Sequence, residues 1–272
     1  MSVARTGKIS RSRFYPAVMR SQARLTYTRV ATALVERNPA VRQELGPLVE
    51  RLECLHDVYR ALRRNREARG ALDFEAPEMK LVVNEAGEVT EMRAYPRNDA
   101  HRLIEECMLA ANVCSADYLQ QGKQPGLYRV HEGPTPEKQE LLRAYLKALG
   151  LGLTISETPR PVEFQRIAEA TAERPDAEQI HMMLLRSMSQ AIYTPVNSGH
   201  FGLAYEAYTH FTSPIRRYPD LLVHRVIKAI LDKRRYQLPA LPTPGEAHEK
   251  LSKRLQKNSA ARRKGDDEPP KR

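Results

Sequence analysis

Two arginines, Arg216 and Arg217, stand between Pro214 and Pro219 in the run TSPIRRYPD. A guanidinium is a planar fork that grips phosphate oxygens at two points, so a pair of them held in stiff chain suits phosphate recognition. Ser213 followed by Pro214 reads as a helix start, a hydroxyl cap ahead of a proline whose missing N–H costs nothing at the first helical position. Pro219 cannot sit inside a helix, so the turn between the prolines must be short and the main helix must restart there. Fixing the arginines in advance reduces the entropy lost on binding. An arginine pair salt-bridged for structure fits the same residues equally well.

Other candidates are more ambiguous from local sequence. Glu105 and Asn112 lie two turns apart in RNDAHRLIEECMLAANV, on a stripe away from the apolar face. They could line a groove, and a solvated face is the commoner explanation. Phe74 and Tyr27 could each stack on a base, a contact worth about 1–3 kcal/mol, though each also reads as core. His200, His210 and His224 lack metal-ligand spacing, and no metal ligand is assigned.

The elements that must position these residues can be read from periodicity. SRSRFYPAVM alternates, and Arg13–Met19 is expected to be a buried strand entering a core; ARLTYTRVATALVER then reads as a helix. From Pro47 to Arg69, Leu48, Leu52, Leu55, Val58 and Leu62 recur every three or four residues, giving an amphipathic helix stopped by Gly70. Two β-like runs around Asn84–Gly87 predict a hairpin. Leu103, Ile104, Cys107, Ala111, Cys114 and Tyr118 share one face of a long helix after Pro96. A short strand at YRVHEG, a helix ended by Gly150, two helical stretches over 161–191 and a helix at DLLVHRVIKAILDKRRY complete the chain to Tyr236. There is no repeat and no clear linker within 10–237, so one mixed α and β domain is expected. The last 25 residues hold nine Lys/Arg and four Asp/Glu with few large apolar residues, a composition expected to stay mobile except where it meets RNA.

Composition narrows the function. The 272 residues are 41% hydrophobic, enough for a sizeable core, and carry 44 Lys+Arg against 33 Asp+Glu, a net +11. That excess suggests a polyanionic partner, nucleic acid ahead of membrane, and a solvated basic surface is the alternative. No apolar run reaches the roughly 18 residues of a membrane span. Cys54, Cys107 and Cys114 form no CxxC, and Cys107 and Cys114, seven apart and so on one packed face of a helix, fit buried thiols in a reducing cytoplasm better than a disulfide framework or a zinc site. The first 35 residues hold no Asp or Glu, superficially like a transit peptide, but the expected strand at Arg13–Met19 argues against one.

HFGLAYEAYTHFTSPIRRYPDLLVHR resembles the signature of the ribonuclease R and ribonuclease II family, whose catalytic unit is the RNB domain. SRFYPAVMRSQARLTY, RNDAHRLIEECMLAANV and YRVHEGPTPEK resemble segments of that family in the same order, over roughly residues 8 to 235. The resemblance implies an α+β fold of mixed helices and antiparallel strands, an incomplete RNB-type nuclease domain over 1–237, with a basic tail over 238–272. It implies a magnesium-dependent 3′-to-5′ exoribonuclease that threads single-stranded RNA and releases nucleoside monophosphates.

By motif position, Phe74 corresponds to half of an aromatic clamp on the terminal bases. Tyr27 and Glu105 correspond to residues beside the scissile bond, and Arg216 to the arginine that stabilises charge on the attacked phosphate. Arg217 is expected to add a substrate contact. The family's magnesium rests on clustered aspartates near the start of the domain, as a hard cation requires. Here the first aspartate is Asp57, so the ligands for that magnesium are expected to be absent. The cold-shock and S1-type RNA-binding domains of longer relatives are not found either. The expectation is a half-enzyme that needs a chain supplying the missing part; a catalytically inactive RNA-binding remnant or a gene fragment is the alternative.

Overall fold

The computed structural model describes residues 1–72, 78–84, 87–95 and 97–237. The chain opens with a short antiparallel pair, β1 (Ser2–Val3) on β2 (Ile9–Arg11). This pair lies so close to a later helix that a Cβ on Gly7 would stand 2.1 Å from the carbonyl oxygen of Ala61. The expected buried strand at Arg13–Met19 is not formed. Residues 12–26 have neither helix nor strand, and Tyr15, Val18 and Met19 are largely exposed. A strand needs a hydrogen-bonded neighbour, and among the described residues none runs alongside. Phe14 and Leu25 are half-buried, the Phe14 ring 4.7 Å from Tyr118 and 5.7 Å from Phe211.

The helices follow their local signals. Thr26 caps α1 (Tyr27–Leu34) by accepting from the Arg29 N–H at 3.2 Å. Asn38 with Pro39 starts α2 (Pro39–Leu45), a short helix the periodicity did not suggest although its cap chemistry is plain in sequence. Helix α3 (Leu48–Arg69) has the expected bounds. Gly70 ends it in the left-handed region, φ +79°, where a side chain would be strained and would also meet Val162. The hairpin forms as β3 (Glu78–Val83) on β4 (Val89–Tyr95), with Leu81 opposite Met92.

Helix α4 (Asp99–Gln121) is the central strut. Asn98 caps it, its side chain accepting from the N–H groups of Ala100 and His101. It buries residues around most of its circumference, Leu103, Leu109, Asn112, Cys114 and Leu119 among them, instead of the single face the sequence suggested. Ile104, expected on that face, is 40% exposed. Next come β5 (Tyr128–Val130), α5 (Pro136–Ala148), α6 (Pro161–Thr171), α7 (Ala177–Ser187), β6 (Ile192–Thr194) and α8 (Tyr218–Leu231). Strand β6 pairs antiparallel with β5, Tyr128 opposite Thr194.

The fold is therefore mixed, helices with small antiparallel sheets, and Met1–Tyr236 forms one compact unit. One core gathers Leu142, Leu146, Phe164, Ile167, Ile180 and Leu184 from α5, α6 and α7. A second joins Leu34, Tyr59 and Leu103 from α1, α3 and α4, which fixes the N-terminal end of α4 against α1. Among the described residues no helix is long and apolar enough to cross a membrane.

Candidate nucleic-acid interface

The segment from Tyr208 to Arg217 is irregular, yet it is tied down at nearly every second residue. Asn112 on α4 holds it twice: its Nδ2 donates to the Tyr208 hydroxyl at 2.8 Å, and its Oδ1 accepts from the Phe211 N–H at 2.9 Å. Phe211 stacks on His224 of α8, ring centroids 4.2 Å apart. The Ser213 carbonyl accepts from the Arg216 and Arg217 N–H groups at 3.2 and 3.0 Å, closing the expected tight turn. Helix α8 then starts at Tyr218, with Pro219 in its first turn.

Asp220 locks this turn from below. It is fully buried, and its Oδ1 accepts from the Ser213 N–H at 2.8 Å and from Arg217 Nη2 at 2.7 Å. The two arginines consequently differ. Arg217 makes the structural ion pair that was one of the two readings of the motif. Arg216 is exposed and makes no ion pair among the described residues.

Around the turn, burial sets the protonation states. The Tyr208 hydroxyl is pushed up to about 12, chiefly by burial, so it is neutral when it accepts from Asn112. His210 is lowered to about 4, first by burial and then by the Arg217 charge, and its Nδ1 lies 2.6 Å from the Tyr193 hydroxyl. The Tyr193 ring carries the Arg129 guanidinium 4.6 Å from its centroid.

A second group gathers at the N-terminal end of α4. The Tyr27 ring, 43% exposed, stacks on His101 at 4.0 Å. One helical turn further, Glu105 pairs with Arg97 and, at 3.4 Å, with Arg66. Arg66 also reaches the buried Glu106 at 2.8 Å. Tyr27 on α1 thus stacks on the helix that carries Glu105, and Asn112 lies two turns beyond Glu105 on that same helix, where it holds the arginine segment. No contact joins Tyr27 or Glu105 to Arg216 among the described residues. Phe74 lies outside the described residues.

The expected solvated face along Glu105 and Asn112 is overturned. Asn112 is 3% exposed and Glu105 is partly buried, because the 208–213 segment and α3 cover that side of α4. Sequence reading also missed Asp220, although an acid three residues after Arg217 at a helix start was a usable signal. Among the described residues no group of three or more His, Cys, Asp or Glu could hold a metal ion. Glu105 and Glu106 are each engaged by Arg66, and Asp220 by Arg217. The described residues therefore do not fit a magnesium centre, which needs convergent oxygens.

Residues 1–233 match the RNB domain. The chain belongs to the RNB domain family. Among its relatives in that family, ribonuclease R of Escherichia coli K12 is 43% identical over 270 residues, 98% of this chain and 33% of that protein. Ribonuclease R of Vibrio cholerae is 48% identical over 233 residues, 86% of this chain and 28% of that protein. The chain thus spans about a third of the length of the curated relatives it matches. Among solved structures, Mycoplasma genitalium RNase R in complex with ribose-methylated single-stranded RNA superposes with a TM-score of 0.75 at 26% identity, covering 82% of this chain and 35% of that one. Yeast Ssd1, a pseudonuclease, shares the RNB fold at a TM-score of 0.52 and 22% identity, over 69% of this chain and 24% of that one.

Proposed function

We propose that this chain is the RNA-contacting part of a 3′-to-5′ exoribonuclease of the ribonuclease R type, acting on single-stranded RNA. One observation carries the reading: Arg216 stands exposed and without an ion pair among the described residues, on a turn that Asp220 and Arg217 hold rigid. A guanidinium placed in this way can meet a phosphate without first giving up a partner. In this reading Arg216 stabilises charge on the attacked phosphate, Tyr27 and Phe74 stack on bases, and Glu105 positions the nucleotide beside the bond. Arg217 acts through the turn and adds a weaker substrate contact. The basic residues of 238–272 add phosphate contacts that do not depend on sequence.

RNA binding without hydrolysis is the second reading. It is favoured by the arginine pairing of Glu105 and Glu106, which leaves neither carboxylate free for a magnesium ion. No chemical step is therefore assigned to a metal held by the described residues; hydrolysis is a property of the larger protein type.

The test uses 5′-labelled single-stranded RNA with the purified chain, with and without magnesium, beside Arg216→Ala. Magnesium-dependent shortening from the 3′ end, lost in the variant, supports the nuclease reading for this chain. Intact RNA that is bound, with binding weakened by Arg216→Ala, supports the second. Neither cleavage nor binding by a folded protein would overturn both.

A further inference from the structure

Arg129 is a half-buried cation that makes no ion pair among the described residues. Taking a charge even partly out of water is costly unless something compensates it. Burial is the first cause that lowers His131, His200 and His210, and the Arg129 charge adds to it at each, so the groups around this cation are neutral. What supports its side chain is an aromatic face, the Tyr193 ring, whose centroid is 4.6 Å from the guanidinium carbon.

The small sheet fixes this arrangement. Arg129 on β5 stands opposite Tyr193 on β6, and on the other side its N–H donates to the Tyr208 carbonyl at 2.9 Å. Residues directly opposite in an antiparallel pair put their side chains on one face, so the arginine lies over the tyrosine. The Tyr193 hydroxyl is 2.6 Å from His210 Nδ1, which brings His210 to the same face. The ring is thus held at its hydroxyl while the guanidinium rests on it. A stacked guanidinium keeps its N–H edge available and has less freedom to lose on binding.

This face adjoins the arginine turn. His210 is three residues ahead of Ser213, and the charges of Arg217 and Arg216 act on it as well as that of Arg129. Tyr193 is 36% exposed, so the face is open to solvent. Arg129 and Arg216 are therefore two guanidinium groups without ion pairs among the described residues, one held by a ring and the other by a turn. A single anion needs one of them. A chain of repeating anionic groups uses both.

We infer that Arg129 is a second phosphate-binding residue of the RNA interface, taking a phosphate other than the one at Arg216. Tyr193 and His210 are its positioning residues: the ring carries the guanidinium, and the imidazole holds the ring. The inference rests on the RNA-binding reading above and deepens it, since two fixed points set the path of a strand where one does not.

The experiment measures binding of labelled single-stranded RNA to the intact chain without magnesium, so that no strand is cut, between about 50 and about 200 mM salt. Arg129→Gln keeps a long side chain on the strand and removes its charge. It should weaken binding about tenfold and reduce the logarithmic salt slope by about 0.7, one phosphate contact. Combined with Arg216→Ala, the slope should fall by about 1.4, because the two phosphates are different. Tyr193→Leu removes the platform and leaves the charge, and should weaken binding about threefold; Tyr193→Phe keeps the ring and should restore most of that loss. Arg166→Ala, which removes an exposed arginine of α6, controls for the loss of one positive charge. Circular dichroism checks the fold of each variant, and the exposed Tyr193 pair decides the question if Arg129→Gln does not fold.

A slope change in Arg129→Gln no larger than in Arg166→Ala would overturn the inference. A double variant no weaker than Arg216→Ala alone would do the same, and so would Tyr193→Phe binding as weakly as Tyr193→Leu. Arg216→Ala by itself tests the functional reading. If it moves neither affinity nor slope while Arg129→Gln moves both, Arg216 leaves the site and Arg129 stays. A folded chain that binds no RNA would overturn both.

Discussion

At the residue scale, Arg216 and Arg217 are neighbours with opposite environments, and sequence could not separate them. Both were legible as a pre-ordered pair, because prolines on either side dictate a tight turn whatever surrounds it. Which arginine is spent internally depends on Asp220, whose burial comes from packing of α8 that local sequence does not display. The same holds for Asn112: its spacing from Glu105 was visible, but its burial depends on a segment almost a hundred residues away. The difference is measurable. Arg217→Ala leaves Asp220 buried without its cation and should lower the free energy of unfolding by about 3 kcal/mol. Arg216→Ala removes an exposed side chain and should change it by less than about 0.5 kcal/mol. Urea denaturation of the two variants checks this, and equal losses would mean that Arg216 has a structural partner.

At the element scale, structure was legible wherever local chemistry is enough. Helix α3 and the β3–β4 hairpin appear where periodicity, a terminal glycine and a turn signal placed them. Strands that depend on distant partners were not. Arg13–Met19 has the pattern without the neighbour, and β6 is only three residues long and exists because β5 lies beside it. The loop after β6 is held by histidines acting as neutral acceptors. His131 Nδ1 accepts from the Gly202 N–H at 2.9 Å, and His200 Nδ1 accepts from the Leu203 N–H at 3.2 Å. Burial lowers both, with the neighbouring imidazole contributing at His200, which falls to about 3.

In the unfolded chain these groups titrate near about 6.5. The unfolded state therefore binds more protons as pH falls, and stability from the neutral histidines is complete above about 6.5 and lost progressively toward about 3. Melting temperature should fall steadily between about pH 6.5 and pH 5, before most carboxylates protonate. A flat profile across that window would show that these histidines do not hold the loop.

At the scale of the whole molecule, the net charge of +11 and the exposed Arg216 make different contributions to one affinity. Distributed basic residues attract any polyanion by releasing counterions, and their effect weakens with salt. If about four phosphates are neutralised on a single strand, the logarithmic slope is about −0.7 per phosphate, and a fourfold rise in salt should weaken binding about fiftyfold. Arg216 should account for about one such contact, so Arg216→Ala should reduce the slope by about 0.7 while also lowering affinity at every salt concentration. A distributed basic surface predicts something else, since losing one of 44 cationic side chains would barely move either quantity. Titrating single-stranded RNA into both proteins across a salt series decides the matter. A parallel, unshifted line for the variant would place the phosphate contacts elsewhere and remove Arg216 from the site.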